Sequence, residues 1–163
     1  MAVSSEDIAL WLEERGWNFL PIDDAEQSRF VFSVECAGGV MLSVEVSVAE
    51  SGQFVQLRVA ELFSGRDFET SPYRRRVLAA LAEETFRRRL AKIGYDPADG
   101  EIDCCVDLPL EDVALTGRQF EYALHLLILV ARLVHKRVET ILSTGRDPGP
   151  LDVEDLPSPT ERE

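Results

Sequence analysis

Residues 30–63 read FVFSVECAGGVMLSVEVSVAESGQFVQLRVAELF, and the alternation within them decides the fold. Phe30, Phe32, Val34 and Cys36 share one side of the first segment. Val40, Leu42, Val44, Val46 and Val48 share one side of the second, and Val55, Leu57 and Val59 one side of the third. A strand turns successive side chains to opposite faces, so each segment presents one apolar row. Ser33, Glu35, Ser43, Glu45, Ser47, Gln56 and Arg58 occupy the other side. One buried face and one wet face is the signature of an antiparallel sheet. Gly38-Gly39 and Glu50-Ser51-Gly52 tolerate the positive φ of tight turns, so the segments form a three-strand meander.

On its N-terminal side, Ser4 or Ser5 can cap a helix whose positive first turn holds Glu6 and Asp7 and which stops at Gly16, with Ile8, Trp11 and Leu12 on one face. The stretch WNFLPIDDAEQS between them reads as a connecting loop. On the C-terminal side, Ser71-Pro72 opens a second helix, and Leu78, Leu81, Ala82, Phe86, Leu90 and Ile93 predict its apolar stripe. A hairpin follows in KIGYDPADGEIDCCVDLPL, turning at Asp96 to Gly100 and pointing Ile102, Cys104, Val106 and Leu108 inward. Thr116 and Gln119 form a capping box for a last helix running to Thr144, with Gly145 as terminator.

These elements predict an α+β fold in the order α-β-β-β-α-β-β-α, with an antiparallel sheet of about five strands. A chain of 163 residues suits one domain, assigned to residues 1–146. Residues 147–163, DPGPLDVEDLPSPTERE, hold four of the eight prolines and no periodic apolar face, and are expected to form a disordered acidic tail.

Thirty acidic against seventeen basic residues give a formal net charge of -13. That balance argues against nucleic acid or an anionic membrane as partner and favours a basic protein. No apolar run approaches the ~20 residues of a membrane span, and the N-terminus carries acids where a signal peptide is basic, so a cytoplasmic location is expected. Cys36, Cys104 and Cys105 are then reduced thiols. Cys104 and Cys105, adjacent on a strand, point to opposite faces and cannot share a metal.

Three constellations invite a functional reading. Leu126 to Val130 are five consecutive large apolar residues, which on a helix of about 3.6 residues per turn cover every azimuth. One sheet face cannot cover them all, so Leu126, Leu129, Val130 and Leu133 are expected to meet a second subunit, against the alternative of a central helix enclosed by its own chain. Arg74, Arg75, Arg76, Arg87, Arg88 and Arg89, with Lys92, place seven of the seventeen bases on the second helix. Interleaved Glu83 and Glu84 and the lack of stacking aromatics favour an ion-pairing face over nucleic-acid binding by the segment 72–92, which stays as the alternative function. The turn holding Asp96, Asp99, Gly100 and Glu101 lacks the ligand spacing of a calcium loop. His125 and His135 stand about 15 Å apart along a helix and cannot chelate one metal. No catalytic motif is present, and neither cofactor nor metal is expected.

The element order, together with KIGYDPADGEIDCCVDLPLEDVALTGRQFEYALHLL, resembles the bacterial YbjN-type family. The residues that carry the resemblance are Gly94, Asp96, Asp99-Gly100, Leu108-Pro109-Leu110 and Leu115-Thr116, and it covers residues 5 to 144. Members are described as sensory transduction regulators with a fold similar to type III secretion chaperones. The resemblance implies a homodimeric, non-enzymatic module that binds protein segments as a chaperone or regulator. It further implies a dimer contact near Leu78, Leu81 and Phe86.

Overall fold

The computed structural model describes residues 2–24, 27–36, 39–63, 68–110 and 113–156. The chain runs α1 (Ser5–Glu14), β1 (Leu20–Asp23), β2 (Ser28–Glu35), β3 (Met41–Ala49), β4 (Phe54–Phe63), α2 (Arg74–Arg87), β5 (Lys92–Tyr95), β6 (Ile102–Pro109) and α3 (Gly117–Thr144). Short 3-10 turns occupy Glu50–Gly52 and Val153–Asp155. The six strands form one sheet in the order β1-β2-β3-β4-β6-β5, and every neighbouring pair is antiparallel.

The architecture is α+β with three helices, as the alternation implies, but the sheet has six strands rather than five. The additional strand, β1, lies in the stretch expected to be a loop and pairs from Leu20↔Val31 to Asp23↔Ser28. Four residues are too few to display a period, and Pro21 argues against a strand. An edge position removes that objection, because the missing N–H need not face a neighbour.

One sheet face makes the core. Phe30, Phe32, Val34, Leu42, Val44, Val46, Val48, Val55, Leu57, Val59, Ile102, Cys104 and Val106 are all buried. Val40 departs from its predicted row. It sits in the turn before β3, is 39% exposed, and accepts a hydrogen bond from Cys36 N–H. Gly38 of the expected glycine turn lies outside the described residues. Leu108 is half-buried, and Cys105 stands across the sheet from buried Cys104 as strand parity requires. In β4 the pairing slips between Val59 and Phe63, where Glu61 takes φ 49°. The bulge changes the parity, so Leu62 rather than residue 61 turns into the core.

The helices cover this core face. Ser4 caps α1 and Thr116 caps α3, each in a reciprocal capping box, with Asp7 and Gln119 as the answering side chains. α3 lies over β4 and β6. Its first turns meet α1 where Trp11 and Phe120 stand 5.6 Å apart, and its later turns meet α2. It ends at Gly145, φ 71°, whose N–H returns to Ile141 O at 2.8 Å. A Cβ there would lie 2.6 Å from the Tyr73 ring, so the end of α3 abuts the start of α2 and the two helices run antiparallel.

Residues 147–156 belong to the folded unit rather than to a disordered tail: Leu151 is 9% exposed and Asp147 bonds to α3. A buried leucine, a paired aspartate and hydrogen bonds to main-chain oxygens hold the segment, and none of these makes a period. Residues 157–163 of the expected tail lie outside the described residues.

Candidate functional site

α2 carries two contrasting faces. Val77, Ala80, Leu81 and Glu84 are buried, whereas Phe86 is 91% exposed and Leu78 half-buried. The helix is therefore rotated from the predicted Leu78, Leu81, Ala82, Phe86 stripe: Leu81 is buried, Leu78 packs against the edge of the core, and Ala82 and Phe86 are exposed. Val77, Ala80 and Leu81 bury one side of the helix, and an ion pair at Glu84 extends the same face. Arg137 of α3 is 1% exposed and must be met by carboxylates, because an unpaired buried charge costs several kcal/mol. Its Nη1 donates to Glu84 Oε1 at 2.8 Å and its Nη2 to Glu83 Oε2 at 2.6 Å. Nε and Nη2 donate to Asp147 Oδ1 and Oδ2, both at 2.8 Å. Burial opposes the guanidinium charge, yet the hydrogen bonds to Asp147, Glu83 and Glu84 outweigh it and raise the pKa above the ordinary value. Arg88 completes the cluster, donating to Glu84 Oε2 at 2.9 Å.

Turning Glu84 inward turns Arg75, Ala79, Ala82 and Phe86 outward, and all four are exposed. Their spacing of four, three and four places them on one line of the helix. The helix spans Arg74–Arg87 rather than 72–92, and Lys92 belongs to β5, where its Nζ bonds Asp107 at 2.7 Å. The arginine patch is correspondingly divided. Arg74 is engaged with Tyr95 Oη and Glu69 and lies over the Phe68 and Tyr95 rings. Arg88 is committed to Glu84, and Arg75, Arg76, Arg87 and Arg89 remain exposed.

On α3, Leu127, Ile128, Val130 and Leu133 are buried within one chain, so Val130 and Leu133 do not face outward as expected. Leu126 and Leu129 are half-buried and share an outward strip with Tyr122, which is 67% exposed. β4 and β6 beneath and the two other helices alongside supply that shelter within one chain.

The histidines stand apart in environment as well as in sequence. His125 is exposed, whereas His135 is 6% exposed and stacks on Phe63 with centroids 4.6 Å apart. Burial lowers the His135 pKa, opposed by the nearby Glu139 carboxylate. In the β5–β6 turn, Asp96 and Asp99 accept hydrogen bonds from the Ala98 and Glu101 amides at 2.8 and 2.9 Å, so these carboxylates brace the turn. Among the described residues, no group of three His, Cys, Asp or Glu side chains could hold a metal, and no helix is long and apolar enough to cross a membrane.

The open sheet face is polar. Arg58 bridges Asp103 and Glu101, while Asp107 accepts from Gln56 and Lys92. These are cross-strand pairs that satisfy a solvated face. The Asp107 carboxyl is held below its usual range by its Gln56 and Lys92 hydrogen bonds.

No family model matches the chain, and no curated protein matches it. Among solved structures, an uncharacterized protein from Methanothermobacter thermautotrophicus is similar, with 12% identity and a TM-score of 0.59, over 86% of this chain and 99% of that one. At that identity the likeness concerns the fold.

Proposed function

We propose that the chain is a non-enzymatic protein-binding module that acts as a homodimer, with the outward face of α2 as its self-association surface. The observation that carries this reading is Phe86, a large aromatic side chain 91% exposed in the last turn of α2. Leaving it in water forgoes about 1.5–3 kcal/mol of burial. The line Arg75, Ala79, Ala82, Phe86 is symmetric about its own midpoint. Two copies of α2 packed antiparallel across a two-fold axis would bring alanine to alanine, allowing close backbone approach. Phe86 would then lie over the partner subunit's Arg75, a cation–π pair worth about 0.5–2 kcal/mol. The resemblance to the YbjN-type family and its chaperone-like fold supports the same reading, including a regulatory or chaperone role toward a protein partner.

Light scattering on the eluting protein tests it. The intact chain should give twice its 18.3 kDa mass at micromolar concentration, and Phe86→Asp should give a single folded chain. A monomeric parent, or a Phe86→Asp variant that stays dimeric, overturns the assignment of this face.

A further inference from the structure

The seam between α2 and α3 already holds a peptide segment, the chain's own residues 147–156, which ends in the 3-10 turn Val153–Asp155. Four of those ten residues are acidic, and one of them, Asp147, has its carboxylate held by a cation of the seam. Arg137 grips the Asp147 carboxylate through two hydrogen bonds of 2.8 Å, and Arg76 adds a favourable field there. The other two contacts fall on main-chain oxygens. Arg88 Nη2 donates to Leu151 O at 3.4 Å, and Lys136 Nζ donates to Asp155 O. Between these clamps Leu151 is sunk to 9% exposure. Glu83 and Glu84, the acids of the seam, are themselves bonded to Arg137 and Arg88, which limits their repulsion of an acidic guest.

Carbonyl groups are common to every peptide. A groove that reads one carboxylate, one leucine and two carbonyls asks little else of its occupant. Pro148 and Pro150 keep the resident segment out of a helix, and Gly149, with φ 84°, turns it back along the seam. The segment is thus attached by a short tether and by few contacts.

We propose that the α2–α3 seam is a binding groove for a segment of a partner protein carrying an aspartate four residues before a leucine, and that residues 147–156 occupy it in cis until such a segment displaces them. This rests on the reading of the chain as a protein-binding module and specifies the partner. It does not require the dimer, because its contacts lie beside the Phe86 line and not on it.

The test is a fluorescein-labelled peptide of residues 146–156, RDPGPLDVEDL, titrated into the full-length chain and into full-length Leu151→Asp, which loosens the resident segment and leaves the groove intact. A ligand's apparent affinity scales with the fraction of open sites, so Leu151→Asp should bind the peptide about tenfold more tightly or better than the parent does. A peptide with its own leucine replaced by aspartate should bind neither protein. Arg88→Glu introduced into Leu151→Asp should abolish the gain. Equal binding by parent and Leu151→Asp, or retained binding of the altered peptide, overturns the proposal. Should Leu151→Asp fail to fold by circular dichroism, Leu151→Ala takes its place, and excess peptide on the parent must raise amide exchange in residues 147–156 alone. If peptide binding instead converts a dimer to monomers, the groove's occupant is the tail of a second copy and the partner assignment fails. Loss of dimerisation in Phe86→Asp with unchanged peptide binding separates the two surfaces.

Discussion

Arg137 of α3 and Glu84 of α2 meet at 2.8 Å with both side chains 2% exposed, although 53 residues separate them in the chain. This pair joins Val77, Ala80 and Leu81 in setting the rotation of α2 and hence which residues the helix shows to solvent. Arg137→Leu should lower unfolding stability by about 3–5 kcal/mol, since it strands carboxylates built around a buried cation. Urea denaturation monitored by circular dichroism measures the loss. Arg88 retains Glu84 in that variant, so a cost at the lower end of the range fits the geometry.

His135 makes stability depend on pH. Its ring is stacked on Phe63, and Nδ1 has no hydrogen-bond partner, so the folded state favours the neutral form and holds the pKa below 6.5. A lowered folded pKa means that the unfolded chain binds the proton first. The stabilisation is fully present above the unfolded value and is lost as pH falls through the folded one. The parent should lose more stability than His135→Leu between about pH 7 and about pH 5, where histidine titrates. Urea midpoints at several pH values in that window give the comparison. The carboxyl of Glu101, raised by burial, contributes with the opposite sign, but equally in both proteins. Parallel curves for the two would rule out the histidine's contribution.

The two leucines of α3 separate interior from rim. Leu133 is 2% exposed and Leu129 half-buried. Leu133→Ala should cost about 2–5 kcal/mol, as cavity-forming core truncations do. Leu129→Ala should cost about 1 kcal/mol, in the ordinary range for a partly exposed site. Thermal unfolding of both variants under identical conditions orders them, and the reverse order would contradict the helix placement.

What could be read in advance follows from the range of the forces. The apolar rows of β2, β3, β4 and β6 are local patterns with a period of two, and their core sides stand as read, apart from Val40 and Leu108. The caps at Ser4 and Thr116 are equally local, resting on a partner three residues away. β1 was hidden because its pairing is supplied by β2 and not by its own pattern. The orientation of α2 was hidden for a stronger reason. Two apolar stripes one residue apart fit this helix, one through Leu78, Leu81, Ala82 and Phe86 and one through Val77, Ala80 and Leu81, and the second carries Glu84 to a cation that arrives from α3, 53 residues away. The enclosure of Leu127, Ile128 and Val130 likewise depends on how many neighbours the fold provides, which a helical period does not count. The burial of His135 is equally non-local, since its ring stacks on Phe63 of β4.

The outermost strands, β1 and β5, are four residues each, and β1 contains Pro21. Such short borders offer few unpaired amides in register for a neighbouring molecule to extend. Copies of this protein are therefore poorly equipped to fuse into a continuous ribbon or a fibril, and growth of any assembly is steered away from hydrogen-bonded backbone and toward side-chain contact on the helical layer.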